Sequence, residues 1–299
     1  MESEMEKDES VKNREKVRKF IEEKKLRFYD DFIFGKVLEN KGICRRFLQA
    51  LLGREVIKVE QIHLQKTEKE GYNQKGVRFD VYVKGETEGG GEEIYDIECQ
   101  VANTEDLALR ARYYHSMIDV TLLKKGEGYG KLKPVYVIFV CLKDPFGRGK
   151  AMYPVRMMDV QDKVIVEDRS YSLYYNCEKA EEVESEELRG LLRYIRTNEM
   201  GTELTKDINA MVEEVVEEHG DELMDYLYDR FNRIMIKEGE RRAAEMGEKK
   251  GIEKGKIEGI QIGEEKGMSE TVRKFKAVGA PMSMIMAATG MTEAQIKAL

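Results

Sequence analysis

No part of this chain stays uncharged long enough to cross a membrane. The longest uncharged run, Ala277 to Thr292, has sixteen residues and is interrupted by Gly279, Pro281 and Gly290. That is short of the ~20 apolar residues a spanning helix needs, so no membrane span is expected. The opening run MESEMEKDESVKNREK is charged where a signal peptide needs an apolar stretch, and the expected location is cytoplasmic. Cysteine is scarce and scattered: Cys44, Cys99, Cys141 and Cys177 form no C-x-x-C pair. This argues against a zinc knuckle or a disulfide framework and for reduced, structural thiols. With only His63, His115 and His219, a His-rich metal centre is excluded, and any metal must be held mainly by carboxylates. An excess of positive charge is also missing, since 51 Lys and Arg stand against 58 Asp and Glu for a net charge of −7. A polyanion would therefore have to be held by a local basic surface.

What is present suffices for one good core plus appendages: 41% of the 299 residues are hydrophobic and 36% are charged, too apolar for wholesale disorder. Residues 1–28 read as a charged, fraying helical lead. The run DDFIFGKVLENKGICRRFLQALLG spaces Phe34, Val37, Leu38, Phe47, Leu48 and Leu51 by helical turns, which predicts a buried helix broken near Gly42 and stopped by Gly53. Alternation predicts strands at 55–66, 77–83 and 93–102, the last two joined by a Gly-rich hairpin link. A helix with Thr104 at its N-cap is expected over 104–123, with Leu107, Ala111, Tyr114 and Ile118 on one stripe. PVYVIFVCL (134–142) reads as a strand covered on both faces, and a further hairpin is expected around 152–175. Beyond the acidic stretch at 178–190, two or three amphipathic helices fill 185–236. From Gly239 a glycine recurs with a spacing of four through Gly267, Ala243 filling the single gap. Such a charged helix is expected to become ordered by close pairing with another helix, which makes homo-oligomerisation its function. Near the C-terminus, a helix after Pro281, a turn at Gly290 and an N-cap at Thr292 resemble half of a helix-turn-helix.

In the central hairpin the even positions are polar (Arg78, Asp80, Tyr82, Asp96, Glu98, Gln100) and the odd positions apolar (Val77, Phe79, Val81, Val83, Ile97, Cys99, Val101). A turn symmetric about Gly89 would pair residues whose numbers sum to 178, setting Asp80 opposite Glu98 on one face. Carboxylates opposed in this way repel each other unless a cation lies between them, and oxygen donors suit Mg²⁺ or Mn²⁺. The pattern by itself is equally that of the wet face of an antiparallel sheet.

Asp80 followed by Ile97-Glu98-Cys99-Gln100 resembles the D…(D/E)-x-K motif of PD-(D/E)xK nucleases, with Gln100 where lysine usually stands. The runs DDFIFGKVLEN, GVRFDVYV, IECQ, LALRARYYHSMID and LLKKGEGYGKLKPVYVIFVCLKDPFG, with the Gly-every-four tail, resemble the Rpn family of recombination-promoting nucleases and transposases, over about residues 29–175 and the tail. The expected fold class is α/β: a PD-(D/E)xK restriction-endonuclease-like core in the order α-β-β-β-α-β, followed by a helical lobe and a helical Gly-repeat tail. The expected divisions are a charged lead at 1–28, a nuclease-like domain at 29–178, the lobe at 179–238 and the tail with a C-terminal helical hairpin at 239–299.

The resemblance implies a Mg²⁺-dependent (or Mn²⁺-dependent) DNA endonuclease linked to recombination or transposition. Asp80 and Glu98 would be metal ligands, the main-chain carbonyl of Cys99 a third, and Gln100 would stand at the catalytic lysine's position. An amide can orient water but carries no positive charge, so the alternative is a catalytically inactive module of the same fold that binds DNA or protein. Asp31 matches the family's N-terminal acidic position. Arg110, Arg112, Tyr113, Tyr114 and His115 follow on the next helix, where Arg112 with His115 and Arg110 with Tyr113, each three apart, are candidates to face the scissile phosphate. Asp31 and Arg112 are the candidate additional active-site residues. Eight Lys and Arg against two acids mark 124–156 as a region for DNA phosphates, or a solvated loop. Lys124, Lys125, Lys131 and Lys133 are the expected DNA contacts.

Overall fold

The computed structural model describes residues 27–68, 77–86, 89–102 and 104–299. Most of the charged lead at 1–28, the Thr87–Glu88 part of the hairpin link, and the side chains of Val77 and Arg78 lie outside the described residues. Two helices come first, α1 (Asp31–Glu39) and α2 (Lys41–Leu52). The break falls at Asn40, two residues before the expected Gly42. Asn40 leaves the helical region (φ −68°, ψ 109°), and its side chain accepts hydrogen bonds from the N–H groups of Gly42 and Ile43. One residue thus ends α1 and caps α2. Gly53 closes α2 at φ 64°, a left-handed conformation suited to glycine.

The strands are β1 (Lys58–Glu68), β2 (Val77–Glu86), β3 (Glu92–Gln100), β4 (Val135–Cys141), β5 (Met152–Val155) and β6 (Ser170–Asn176), in one sheet of order β1-β2-β3-β4-β6-β5. β1, β2 and β3 are antiparallel, while β3, β4 and β6 run parallel. The crossover from β3 to β4 is made by α3 (Leu107–Leu122). This helix begins three residues after Thr104, with Asp106 before its first turn. β4 is buried at every position except Tyr136, which is partly exposed, as expected of a strand covered on both faces. The expected order α-β-β-β-α-β is present, with the β5–β6 hairpin widening the sheet. β2 and β3 pair as Val81–Ile97 and Tyr82–Asp96, the register a symmetric turn implies.

One face of the sheet, carrying Tyr95, Ile97 and Cys99, packs against α1, α2, α4 (Glu186–Thr197) and α5 (Glu203–Glu218). The other, carrying Ile94, Val137 and Phe139, packs against α3. The helices expected to form a lobe therefore complete the main core. Leu191, Leu192, Ile195, Leu204 and Ile208 are buried there, and complete burial of such a side chain is worth ~1.5–3 kcal/mol. Where α4 meets α5 the approach is close: a Cβ added at Gly190 would lie 2.5 Å from Thr202 Cγ2. Thr202 caps α5 through a reciprocal capping box with Thr205.

A long helix, α6 (Gly220–Ala277), follows and runs without interruption through 238–239. The chain forms two compact units, the first extending to Tyr228 and the second comprising Asp229–Leu299. In the second, Val272 of α6, Ile285 of α7 (Met282–Thr289) and Ile296 of α8 (Glu293–Ala298) are buried together. Gly290 is left-handed, and Thr292 caps α8 in a reciprocal box with Gln295. Among the described residues no helix is long and apolar enough to cross a membrane.

Candidate functional site

The carboxylates converge where β3 ends. Glu93 to Cys99 are all buried, and Glu98 is 3% exposed. On β2 the ladder to β3 stops at Val81–Ile97, and the ladder to β1 passes from Leu64–Val81 to Lys66–Phe79. Between them the N–H of Asp80 donates to Glu98 Oε1 at 3.1 Å. Strict alternation also lapses here, because Phe79 packs with Tyr82 and Tyr114 on the α3 side. Local departure from the pleat re-aims a side chain without ending the strand. Asp31, at the start of α1, joins the same electrostatic neighbourhood: its charge and that of Asp80 both act on Glu98 and on Cys99. The Tyr226 hydroxyl donates to Asp31 Oδ2 at 3.2 Å.

Burial, and then the charge of Asp80, push the Glu98 carboxyl up to about 8. Asp96, fully buried two residues earlier, is raised well above the usual carboxylate range by burial and by the charges of Glu98 and Asp80. Neither Asp96 oxygen has a hydrogen-bond partner among the described residues. Close, desolvated carboxylates of this kind favour a proton or a cation in their midst.

The cation seen at Glu98 is Arg110. Its Nη2 donates to Glu98 Oε2 at 2.8 Å and to the Tyr114 hydroxyl at 3.1 Å, and its Nη1 donates to Gln100 Oε1 at 2.8 Å. Burial works against its charge, but Tyr114 and Glu98 hold it protonated above the ordinary arginine value. The expected Arg112 is instead exposed on α3. Two residues turn a helix by about 200°, so a side chain at 112 points away from one at 110. The sequence held the signal: Tyr114 belongs to the inward stripe with Leu107, Ala111 and Ile118, and Arg110, four residues before Tyr114, borders that stripe. His115 is buried with Nε2 3.0 Å from Ser172 Oγ, and burial pushes it down to about 4, a packed hydrogen-bonding residue.

The crossover also sorts the basic residues. The 16-residue α3 carries the chain about 24 Å back along the sheet, so Lys124, Lys125, Lys131 and Lys133, all exposed, lie towards the start of β4. Glu98 and Gln100 lie at the other end, beside Phe139 and Cys141. The structure does not bring these four lysines to the carboxylates. The loop leaving β4 starts at the carboxylate end and exposes Lys143, Arg148 and Lys150. Asp144 fixes it, accepting from the N–H groups of Phe146, Gly147 and Gly149 and from the Tyr153 hydroxyl.

Among the described residues no three His, Cys, Asp or Glu side chains are gathered as a metal site. A cation here would have Asp80 and Glu98 as side-chain donors and need a main-chain oxygen. Gln100 O accepts from Leu142 N on the β4 side; successive strand carbonyls alternate, so that of Cys99 points towards β2, past the last ladder pair. All four cysteines are free and buried. A comparison with curated proteins gives no match, nor does one with solved structures. The family model described as PD-(D/E)XK nuclease family transposase matches residues 29–256. That span holds the whole sheet, both acids and Arg110 and is more than half of the sequence, and the chain belongs to the PD-(D/E)XK nuclease family transposases.

Proposed function

We propose that the protein is a divalent-metal-dependent DNA endonuclease serving recombination or transposition. The observation that carries this reading is the forced proximity of Asp80 and buried Glu98, with the Asp80 N–H on one Glu98 oxygen. The donors are all oxygens, and the burial and repulsion that raise Glu98 would be relieved by a hard cation, so the set fits Mg²⁺ or Mn²⁺. Asp80, Glu98 and the Cys99 carbonyl would hold it. When bound, such an ion neutralises phosphate charge and lowers the pKa of an attacking water.

The rest falls to the chain. Asp80 N–H and Arg110 fix the two Glu98 oxygens, which pre-orients the carboxylate. Gln100 is held by Arg110 through its carbonyl oxygen and donates its amide to Ala102 O. Lys143, Arg148 and Lys150 would grip backbone phosphates at the carboxylate end, independently of sequence. The glycine-bearing stretch of α6 would pair with a second copy, because each interior Gly costs a helix ~1 kcal/mol against Ala and close packing offsets this.

Plasmid nicking by the full-length protein tests the reading. Nicking should require Mg²⁺ or Mn²⁺, stop with EDTA, and disappear in Asp80→Asn and Glu98→Gln. Cleavage at the wild-type rate by either variant would refute the site, and a folded wild type that binds DNA without cutting it would make the chain an inactive binding module.

A further inference from the structure

Four carboxyl groups, Asp31, Asp80, Asp96 and Glu98, share one electrostatic neighbourhood, and the opposing charge acting on both Glu98 and Asp96 is that of Arg110. Its side chain is 25% exposed, against 4% for Glu98, so the charge sits at the mouth of the site and faces inward. The fork spans the motif: one nitrogen on Glu98, the other on Gln100, both at 2.8 Å. Its carbon lies 5.2 Å from the Phe139 ring centre and 5.5 Å from that of Tyr114, positions that favour a cation electrostatically and restrict its rotamers. Gln100 is held at both ends, by Arg110 and by the Ala102 carbonyl. Its amide therefore serves as a bracket for the guanidinium.

We infer that Arg110 is the positioning residue of this site: from α3 it supplies the positive charge that position 100 lacks and holds Glu98 in place against Asp80. The inference rests on the nuclease reading. Two consequences separate it from a packing role. Because Arg110 and a divalent ion share Glu98, removing the guanidinium relieves a competitor and does not weaken metal binding. And because Gln100 Oε1 lies 2.8 Å from Arg110 Nη1, a cation introduced at 100 occupies the same place and substitutes for it.

The test uses Arg110→Gln, Arg110→Lys and the double variant Gln100→Lys/Arg110→Gln. Each is assayed for plasmid nicking and, without DNA, for Mn²⁺ affinity by calorimetry, with circular-dichroism melts to verify folding. Arg110→Gln should nick about 100-fold more slowly, the scale of losing one preorganised donor. Its Mn²⁺ affinity should be unchanged or tighter by up to about tenfold. The double variant should regain at least about tenfold of the lost rate, and Arg110→Lys should fall between wild type and Arg110→Gln because it keeps the charge without the fork. Wild-type nicking by Arg110→Gln, loss of Mn²⁺ binding together with nicking, or no recovery in the double variant would each overturn the inference. Should Arg110→Gln fail to fold, Arg110→Lys and the double variant decide it, and two folded variants without activity would also overturn it. A wild type that never cuts overturns the nuclease reading and the role inferred from it; a wild type that cuts alongside an equally active Arg110→Gln overturns the role of Arg110 alone.

Discussion

Replacing Glu98 with glutamine in EDTA-treated protein probes the balance of charge in the site. Glu98 has an ordinary value of 4.5, and in the folded, ion-free protein burial and Asp80 push it up to about 8. Between these values the folded state binds a proton that the unfolded chain has released, so stability falls as pH rises through the window. One pH unit inside it costs up to ~1.4 kcal/mol. Coupling to Asp96 and Asp80 spreads the titration, leaving a loss on the order of a few kcal/mol between about pH 5 and pH 8.5. Glu98→Gln carries no such proton and keeps an acceptor for Arg110. It should melt with the wild type near pH 5 and be more stable by about 2 kcal/mol near pH 8.5, or roughly 4–8 °C in Tm for a domain of this size. The chain has no Trp, so melts are followed by backbone circular dichroism. Saturating Mg²⁺ near pH 8.5 should raise the wild-type Tm and leave that of the variant nearly unchanged. A constant difference between the two proteins across pH, or an advantage for the variant largest near pH 5, would refute the reasoning.

Gly190→Ala should destabilise the first unit by about 1–3 kcal/mol, because the new methyl meets Thr202 Cγ2 at 2.5 Å; adding Thr202→Ser, which removes that methyl and keeps the cap hydroxyl, should recover much of the loss in urea titrations. Neutralising Lys143, Arg148 and Lys150 together should weaken DNA binding, measured with Ca²⁺ in place of Mg²⁺, and reduce the salt slope by about 3, near 0.9 per phosphate contact. The same change at Lys124, Lys125, Lys131 and Lys133 should leave the slope as it was, and a reversed result would move the DNA to the other end of the sheet. Ending the chain after Glu238 should lower the association state, the particle mass from light scattering divided by the chain mass, whereas equal association states would show that self-association does not depend on the glycine-bearing stretch.

The strand pattern was legible because alternation and continuous apolar runs report burial directly: the β2–β3 register, the doubly covered β4 and the Gly53 stop follow from residue order alone. Helix starts were less so. Thr104 offered a suitable cap, yet α3 begins at Leu107, since capping preference is worth only ~1 kcal/mol and packing can outweigh it. Asn40 outcompeted Gly42 as a breaker because its side chain satisfies two N–H groups that a glycine leaves open. Choosing between Arg110 and Arg112 needed the phase of α3 against the sheet, and spacing alone leaves that phase open. The sorting of the basic residues to opposite ends required the crossover itself, a property of strand direction that no local run of sequence encodes.

The buried thiols have a practical consequence. Burial pushes Cys44 and Cys141 up to about 12 and raises Cys99 and Cys177 as well, so almost no thiolate forms on any of them at neutral pH. Tyr129, between α3 and β4, is 84% exposed. Tyr129→Cys would therefore accept a maleimide dye or a surface tether far in preference to the native thiols. The label would sit at the opposite end of the sheet from Glu98, leaving the carboxylate end open for watching DNA arrive at single-molecule resolution.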